Sequence, residues 1–179
     1  GGVFHALQRQ CNHVTMANLA QLVNVLPALR TSPTGAWGTP LYHAFSLYRE
    51  CEPVAVACTC DVNSFDSEAF GNIPPLEKVA YVDAAATMSE EGEHLVVTAV
   101  NRHRTKPAAI EIEVGGVKGI AGVEGEMLGG ESERAAGSEQ MPAAVSIAPL
   151  PVATREGCLL VVELPPHSIG LIKCEIDAE

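Results

Sequence analysis

Two hydrophobic periods divide the chain near residue 52. Before that point, residues 2–12 carry apolar side chains at helical spacing, and residues 13–24 form an apolar run broken by amides. The first pattern predicts the end of a helix, and the second predicts a buried strand. Residues 30–38 are rich in Gly, Pro, Ser and Thr, which predicts a long loop. Thr39, followed by Pro, predicts the start of an amphipathic helix that reaches about residue 50.

From Glu52 onward apolar and polar residues alternate, as they do in half-buried strands. Eight segments show this pattern: residues 54–58, 79–85, 94–101, 110–114, 122–128, 145–147, 158–164 and 169–176. Because polar turns separate these short strands, an antiparallel β-sandwich is predicted. Residues 129–144, rich in Gly, Ser, Glu and Ala, are expected to form its mobile surface loop.

Three segments resemble a known enzyme family. HVTMANLAQLVNVLPAL (13–29) and TPLYHAFSLYRE (39–50) are similar to the last strand and last helix of the catalytic barrel of family-51 glycoside hydrolases, the α-L-arabinofuranosidases. LPPHSIGLI (164–172) resembles the final strand of the sandwich that follows that barrel. The resemblance implies a mainly β chain, with an antiparallel β-sandwich preceded by the last strand, loop and helix of a TIM (β/α)8 barrel. Residues 1–50 would be the barrel remnant, and residues 51–179 the sandwich domain.

The resemblance also implies an activity for a parent enzyme. Members hydrolyse terminal non-reducing arabinofuranosyl residues from arabinose-containing polysaccharides and oligosaccharides with retention, using two glutamates on earlier barrel strands. Nothing in this chain matches the motifs of those glutamates, so we expect no catalytic residue here and no activity from the chain alone. The chain would supply one wall of the active-site mouth. No cofactor and no metal is expected.

Three residues are candidates for substrate binding. Asn24 lies near the C-terminal end of the predicted barrel strand, which faces the catalytic mouth in such barrels. Trp37, the only Trp, lies in the loop, where its ring would stack on a sugar or cap the barrel. Thr39 stands where many family members resemble each other in carrying a substrate-contacting Gln, so helix capping is its alternative role.

Aromatic residues bear on a rival function. All eight lie in the first 81 residues, and residues 82–179 contain none. The rival reading is a non-catalytic carbohydrate-binding or structural β-sandwich module. Sugar-binding modules stack their ligands on aromatic rings, so the lack of such rings in residues 82–179 disfavours a carbohydrate-binding module. A purely structural β-sandwich module stays possible.

The net charge limits the binding partners that are expected, and the cysteines bear on the cellular location. A net charge of −11 disfavours nucleic acid and anionic membrane surfaces. The six cysteines are scattered, which predicts buried free thiols, and the chain has no glycosylation sequon. Both features predict a cytoplasmic, bacterial protein.

The basic residues 102–106 are expected to form a solvated turn. Residues 1–50, without their barrel neighbours, are expected to pack on the sandwich as helix or to associate with a second copy, giving a homo-oligomer.

Overall fold

A computed structural model describes residues 1–177; residues 178 and 179, the end of the predicted sandwich domain, lie outside the described residues. Two helices occur in the first 50 residues: α1 (Gly2–Arg9) and α2 (Pro40–Tyr48). The strands are β1 (Leu29–Thr31), β2 (Ala36–Gly38), β3 (Val54–Val56), β4 (Ser64–Ser67), β5 (Leu76–Ala80), β6 (Val82–Met88), β7 (His94–Asn101), β8 (Ala108–Glu113), β9 (Gly119–Gly130), β10 (Val145–Pro149), β11 (Val152–Arg155), β12 (Leu159–Leu164) and β13 (Ser168–Asp177). Neither helix is long and apolar enough to cross a membrane.

Two antiparallel sheets carry the fold. The larger has six strands in the order β10-β9-β13-β7-β6-β3, and the smaller has three in the order β11-β12-β8. Side chains of both sheets share one core, in which Leu160 of the smaller sheet packs with Val97 and Ile172 of the larger. The predicted mainly β, antiparallel class is confirmed.

Strand β13 carries apolar residues on both of its faces, because both faces are covered. Ile172 and Cys174 point into the core between the sheets, whereas Leu171 points to the opposite face. There Leu171 packs with Ala44 and Leu47 of α2. A strand covered on both sides needs apolar residues at successive positions. The fold therefore has three layers, with the helices on the outer face of the larger sheet.

The first helix docks beside the second through aromatic rings. Phe4 of α1 lies with its ring centroid 4.5 Å from that of Tyr48 and 4.9 Å from that of Phe45. The expected packing of the N-terminal segment on the sandwich is therefore correct for α1 and α2. The first of these ends at Arg9, three residues earlier than residue 12 of the predicted span.

The barrel strand predicted over residues 13–24 is wrong for this chain. Between α1 and β1 the described residues form one isolated bridge, Val23 with Leu29, and neither a strand nor a helix. A parallel barrel strand needs hydrogen-bonding neighbours along both sides, and the described residues supply only the single contact with Leu29 there. Gln21 and Asn24 also adopt left-handed backbone angles, with φ of 60° and 61°, which interrupt either regular structure. The helical alternative for this segment is likewise wrong.

Two further local predictions need correction. Residues 30–38 form the hairpin β1–β2 and not an irregular loop, because Ser32 N–H closes a turn on Gly35 O at 2.8 Å. Strand β3 ends at Val56, so Cys58 and Cys60 lie beyond it and are exposed. The edge of β6 past that point is covered by side chains instead, with Arg9 donating to Ala84 O at 2.8 Å.

Candidate functional site

The three candidate site residues lie on the hairpin β1–β2 and its flanks. Arg30 pairs with Trp37 in the hairpin register, and the turn between the strands is closed by Ser32. The Ser32 hydroxyl accepts from Thr34 N–H at 3.2 Å and from Gly35 N–H at 3.1 Å. These bonds give residues 29–38 a defined shape that leads directly into α2.

Asn24 braces the hairpin from its N-terminal side. Its side-chain amide donates to Thr31 Oγ1 at 2.7 Å, and its carbonyl oxygen accepts from Thr31 N–H at 2.8 Å. Its backbone N–H donates to Leu29 O at 3.1 Å. Both ends of the Asn24 amide are thus used within the chain, although the residue stays exposed.

Trp37 joins the hairpin to the loop between β9 and β10. Its indole N–H donates to Gly137 O at 3.0 Å, and the residue is half-buried. A Cβ on Gly137 would lie 3.1 Å from Trp37 Cδ1 and 3.0 Å from Gly38 O, so the contact requires a glycine or a shift of the loop.

A second contact fixes the same loop. Ser32 Oγ donates to Glu139 at 3.0 Å, and Thr34 Oγ1 donates to the same carboxylate oxygen. These bonds, first that from Thr34, lower the pKa of Glu139. The segment expected to be a mobile surface loop is therefore bonded to the hairpin at Gly137 and Glu139.

Thr39 caps α2, as its alternative role required. Its hydroxyl oxygen accepts from Tyr42 N–H at 3.5 Å and donates to Pro27 O at 2.8 Å. The backbone N–H of Thr39 donates to Ala28 O at 2.9 Å. The Thr-Pro pair in the sequence was sufficient to predict this helix start.

Glutamates outside the hairpin do not resemble a glycosidase acid. Lys173 and Arg49 bond to Glu50, and Arg104 bonds to Glu133. These partners, first Lys173 for Glu50 and Arg104 for Glu133, lower the pKa of each carboxyl group. A general acid for glycoside cleavage needs a raised pKa. Hence neither residue is suited to that role.

A buried polar cluster was missed by the sequence analysis. His5 is fully buried, with Nε2 2.7 Å from Tyr48 OH and 3.0 Å from Thr98 Oγ1. Its Nδ1 lies 3.2 Å from Asp83 Oδ2, within ion-pair distance, but has no hydrogen-bond partner among the described residues. Arg102 also bonds to Asp83, at 2.7 Å.

The order carboxylate, imidazole, hydroxyl resembles a catalytic triad, but it performs no chemistry on a substrate here. Its central imidazole has no exposed surface, so a substrate cannot reach it. The cluster ties α1 and α2 to the larger sheet. Residues 104–106 are exposed, as the expected solvated turn requires, but Arg102 departs from it, because it donates to Ala80 O at 3.0 Å and is half-buried. Only a charged Asp83 within an apolar strand pattern signalled the cluster in the sequence.

The fold and the hairpin define the chain as an antiparallel β domain flanked by two helices, with an apolar segment left uncovered between α1 and β1. A family model described as the α-L-arabinofuranosidase C-terminal domain matches residues 1–168. The chain belongs to this family.

Two relatives with curated descriptions are both named as arabinofuranosidases. An intracellular exo-α-(1→5)-L-arabinofuranosidase of Streptomyces lividans is 30% identical over 178 residues, which is 97% of this chain and 26% of that protein. One of Bifidobacterium longum is 25% identical over 94% of this chain and 30% of its own length. The chain thus spans less than a third of these relatives.

Solved structures agree in fold. The α-L-arabinofuranosidase of Thermotoga maritima, solved as an arabinose complex, overlaps with a TM-score of 0.87 at 30% identity and covers 97% of this chain. This chain covers 36% of that structure. A family-51 α-L-arabinofuranosidase of Thermotoga petrophila overlaps with a TM-score of 0.85 at 30% identity, over 97% of this chain and 37% of that one.

Proposed function

We propose that the protein containing this chain is a glycoside hydrolase that removes terminal non-reducing α-L-arabinofuranosyl residues from arabinose-containing polysaccharides and oligosaccharides, with retention. The observation that carries the proposal is the family match over residues 1–168. The overlap with the Thermotoga maritima enzyme over 97% of the chain supports it.

The chemistry would be divided between this chain and residues upstream of it. Retaining hydrolysis needs two carboxyl groups about 5–5.5 Å apart, held on rigid elements on either side of the scissile bond. The ion-paired glutamates Glu50 and Glu133 are unsuited to the role of the acid, since their pKa values are lowered, and nothing in the chain matches the motifs of the family's two catalytic glutamates. The nucleophile and the acid/base would therefore lie in the catalytic barrel of the parent, and the isolated chain would be inactive.

Residues 1–50 would adjoin that barrel, and residues 51–179 would form the sandwich domain. The exposed apolar segment supports this division, because Met16 is 75% exposed and Leu26 is 80% exposed. A contiguous apolar surface of this kind marks an interaction site. The part of the parent protein outside this chain would supply the cover, since 70% or more of each relative lies outside the matched region.

Asn24, Trp37 and Thr39 would stand at one wall of the substrate pocket. Trp37 would contact the sugar with the half-exposed face of its indole, held at a fixed angle by its bond to Gly137 O. Asn24 is exposed on the segment that braces the hairpin at Thr31, and Thr39 would act by fixing the start of α2.

We also propose a cytoplasmic location in a bacterium and assembly into homo-oligomers. Relatives from Streptomyces and Bifidobacterium are named intracellular, and the six cysteines are unpaired. The net charge of −11 favours a neutral sugar substrate over nucleic acid or an anionic membrane as partner. The exposed apolar segment supports the oligomer for the chain by itself, in which no barrel covers that segment.

Linear arabino-oligosaccharides test the proposal. The full-length protein should release arabinose alone from their non-reducing ends, and proton NMR should show the α anomer first. Release of mixed oligosaccharides, a β anomer first, or no release would each contradict it.

A further inference from the structure

Three rings form a short stack on the sandwich, apart from the hairpin. Phe65 of β4 and Tyr81, between β5 and β6, have ring centroids 4.7 Å apart with planes at 36°. The imidazole of His103, just after β7, lies 4.9 Å from the Tyr81 ring at 29°. The absence of aromatic residues after Tyr81 predicts a sandwich without an aromatic platform. Folding creates one from residues far apart in the chain.

Polar side chains surround the edge of this stack. Tyr81 and His103 line a cleft of about 440 Å³, together with Asp61, Asn63 and Lys106. Within the described part of the chain, these last three side chains and the Tyr81 hydroxyl have no hydrogen-bond or ion-pair partner. Donors and acceptors with no internal partner are therefore free to bind a ligand that enters between them.

One wall of the cleft is held rigid from beneath. The side-chain amide of Asn101 donates to Lys106 O at 3.0 Å, Leu164 O at 3.1 Å and Pro165 O at 3.0 Å. A preorganised wall of this kind lowers the entropic cost of binding.

The imidazole of His103 is fixed as well. Its Nδ1 accepts from Thr105 N–H at 3.2 Å and from Lys106 N–H at 3.0 Å. Nε2 therefore carries the proton in the neutral ring and is left as a donor. The ring offers an apolar face and one directed N–H group.

We propose that this cleft binds a sugar unit of a neutral, arabinose-containing polysaccharide. The rings of Tyr81 and His103, which line the cleft, provide an apolar surface for the sugar, while the carboxylate of Asp61 and the ammonium of Lys106 provide an acceptor and donors for its hydroxyl groups. The two charges cancel locally, which favours a neutral polyol over an anion. The choice of arabinose-containing polymer rests on the proposed function.

Native gel electrophoresis of the 179-residue chain tests the site, with soluble debranched arabinan or arabinoxylan cast into the gel. The chain should migrate more slowly than in a gel without polysaccharide. The double variant Asp61→Ala/Lys106→Ala, which keeps the net charge and changes two exposed residues, should bind at least tenfold more weakly. The matched control Glu113→Ala/Lys118→Ala, also exposed and on other elements, should be retarded like the wild type.

A third variant separates the two proposals. Trp37→Ala removes only the sugar contact proposed at the hairpin, so more than half of the retardation should remain in it, because Asp61 and Lys106 of the cleft are intact. Loss of retardation in Trp37→Ala alone would place sugar binding at the hairpin and overturn the cleft site, while leaving the proposed function standing. No retardation of the wild type, equal retardation by dextran, or undiminished retardation of the Asp61/Lys106 double variant would also overturn it. Retardation that follows the cleft in a protein whose full-length form releases no arabinose would sink only the proposed function.

Discussion

Asp83→Asn should destabilise the domain more than any exposed charge change. The Asp83 side chain is 12% exposed and bonds to Arg9 and Arg102, which are 48% and 28% exposed. Removing one partner of a fully buried ion pair costs about 3–5 kcal/mol, and an exposed pair contributes about 0–1 kcal/mol. The half-exposed partners place the expected loss between these limits, at about 2–3 kcal/mol.

Acid should reveal the same cluster in the wild type. Burial opposes ionisation of Asp83, but bonds from Arg9 and Arg102 and the proximity of His5 outweigh it and lower its pKa below 3.8. Its contribution to stability is therefore present above pH 3.8 and lost as pH falls through the lowered pKa. Burial lowers the pKa of His5 below 6.5, so the unfolded chain binds a proton first. Stability should thus start to fall below pH 6.5.

Urea unfolding followed by circular dichroism measures the loss caused by Asp83→Asn at pH 7 and the effect of His5 protonation between pH 7 and pH 5. His5→Gln should reduce the loss of stability between these pH values. Glu113→Gln, at an exposed position of β8, should change the free energy of unfolding by less than about 0.5 kcal/mol. An Asp83→Asn loss no larger than this control, or a wild-type loss that His5→Gln leaves unchanged, would refute the structural role given to the cluster.

Three further changes test other parts of the structure. Gly125→Ala would place a Cβ 2.3 Å from Leu150 O and should lower the free energy of unfolding in urea by about 1–3 kcal/mol. The control Gly115→Ala, whose Cβ would meet nothing within 4 Å, should lower it far less. Equal losses in the two variants would contradict the packing around Gly125. In thiol titration of the native protein at pH 8, the exposed Cys11, Cys58 and Cys60 should react, although the sequence predicts buried thiols. Cys174 is buried, which raises its pKa to about 11, and it should react only after unfolding. A fast reaction of all six cysteines in the native protein would contradict this. In the full-length enzyme, Trp37→Ala should lower kcat/KM at least tenfold with little loss of thermal stability, and the reverse result would make Trp37 a structural residue.

Local patterns predicted most of the sheet. Strands β7 and β13 agree with their predicted spans to within one residue at each end, because alternation reports directly which face of a strand is buried. The start of α2 followed from Thr39 and Pro40, since capping depends on adjacent residues. Strand β4 has only four residues, two of them exposed, and was missed because its one apolar residue gives little pattern to detect.

Features that depend on distant partners could not be predicted. The segment at residues 13–24 has the composition of a barrel strand but lacks neighbours to pair with, so its backbone follows its own turn-forming residues. The bond from Trp37 to Gly137 joins residues 100 positions apart, and the stack of Tyr81 on His103 depends on pairing between β6 and β7. Periodicity carries no information about such contacts.

The activities of the full-length protein and of this chain test whether the catalytic carboxyl pair lies outside the chain. An aryl α-L-arabinofuranoside is incubated with equal molar amounts of the full-length protein and of the purified 179-residue chain. The account predicts rapid turnover by the full-length protein and a rate equal to the buffer blank for the chain, because the carboxyl pair lies upstream. Turnover by the chain, or none by the full-length protein, would contradict it.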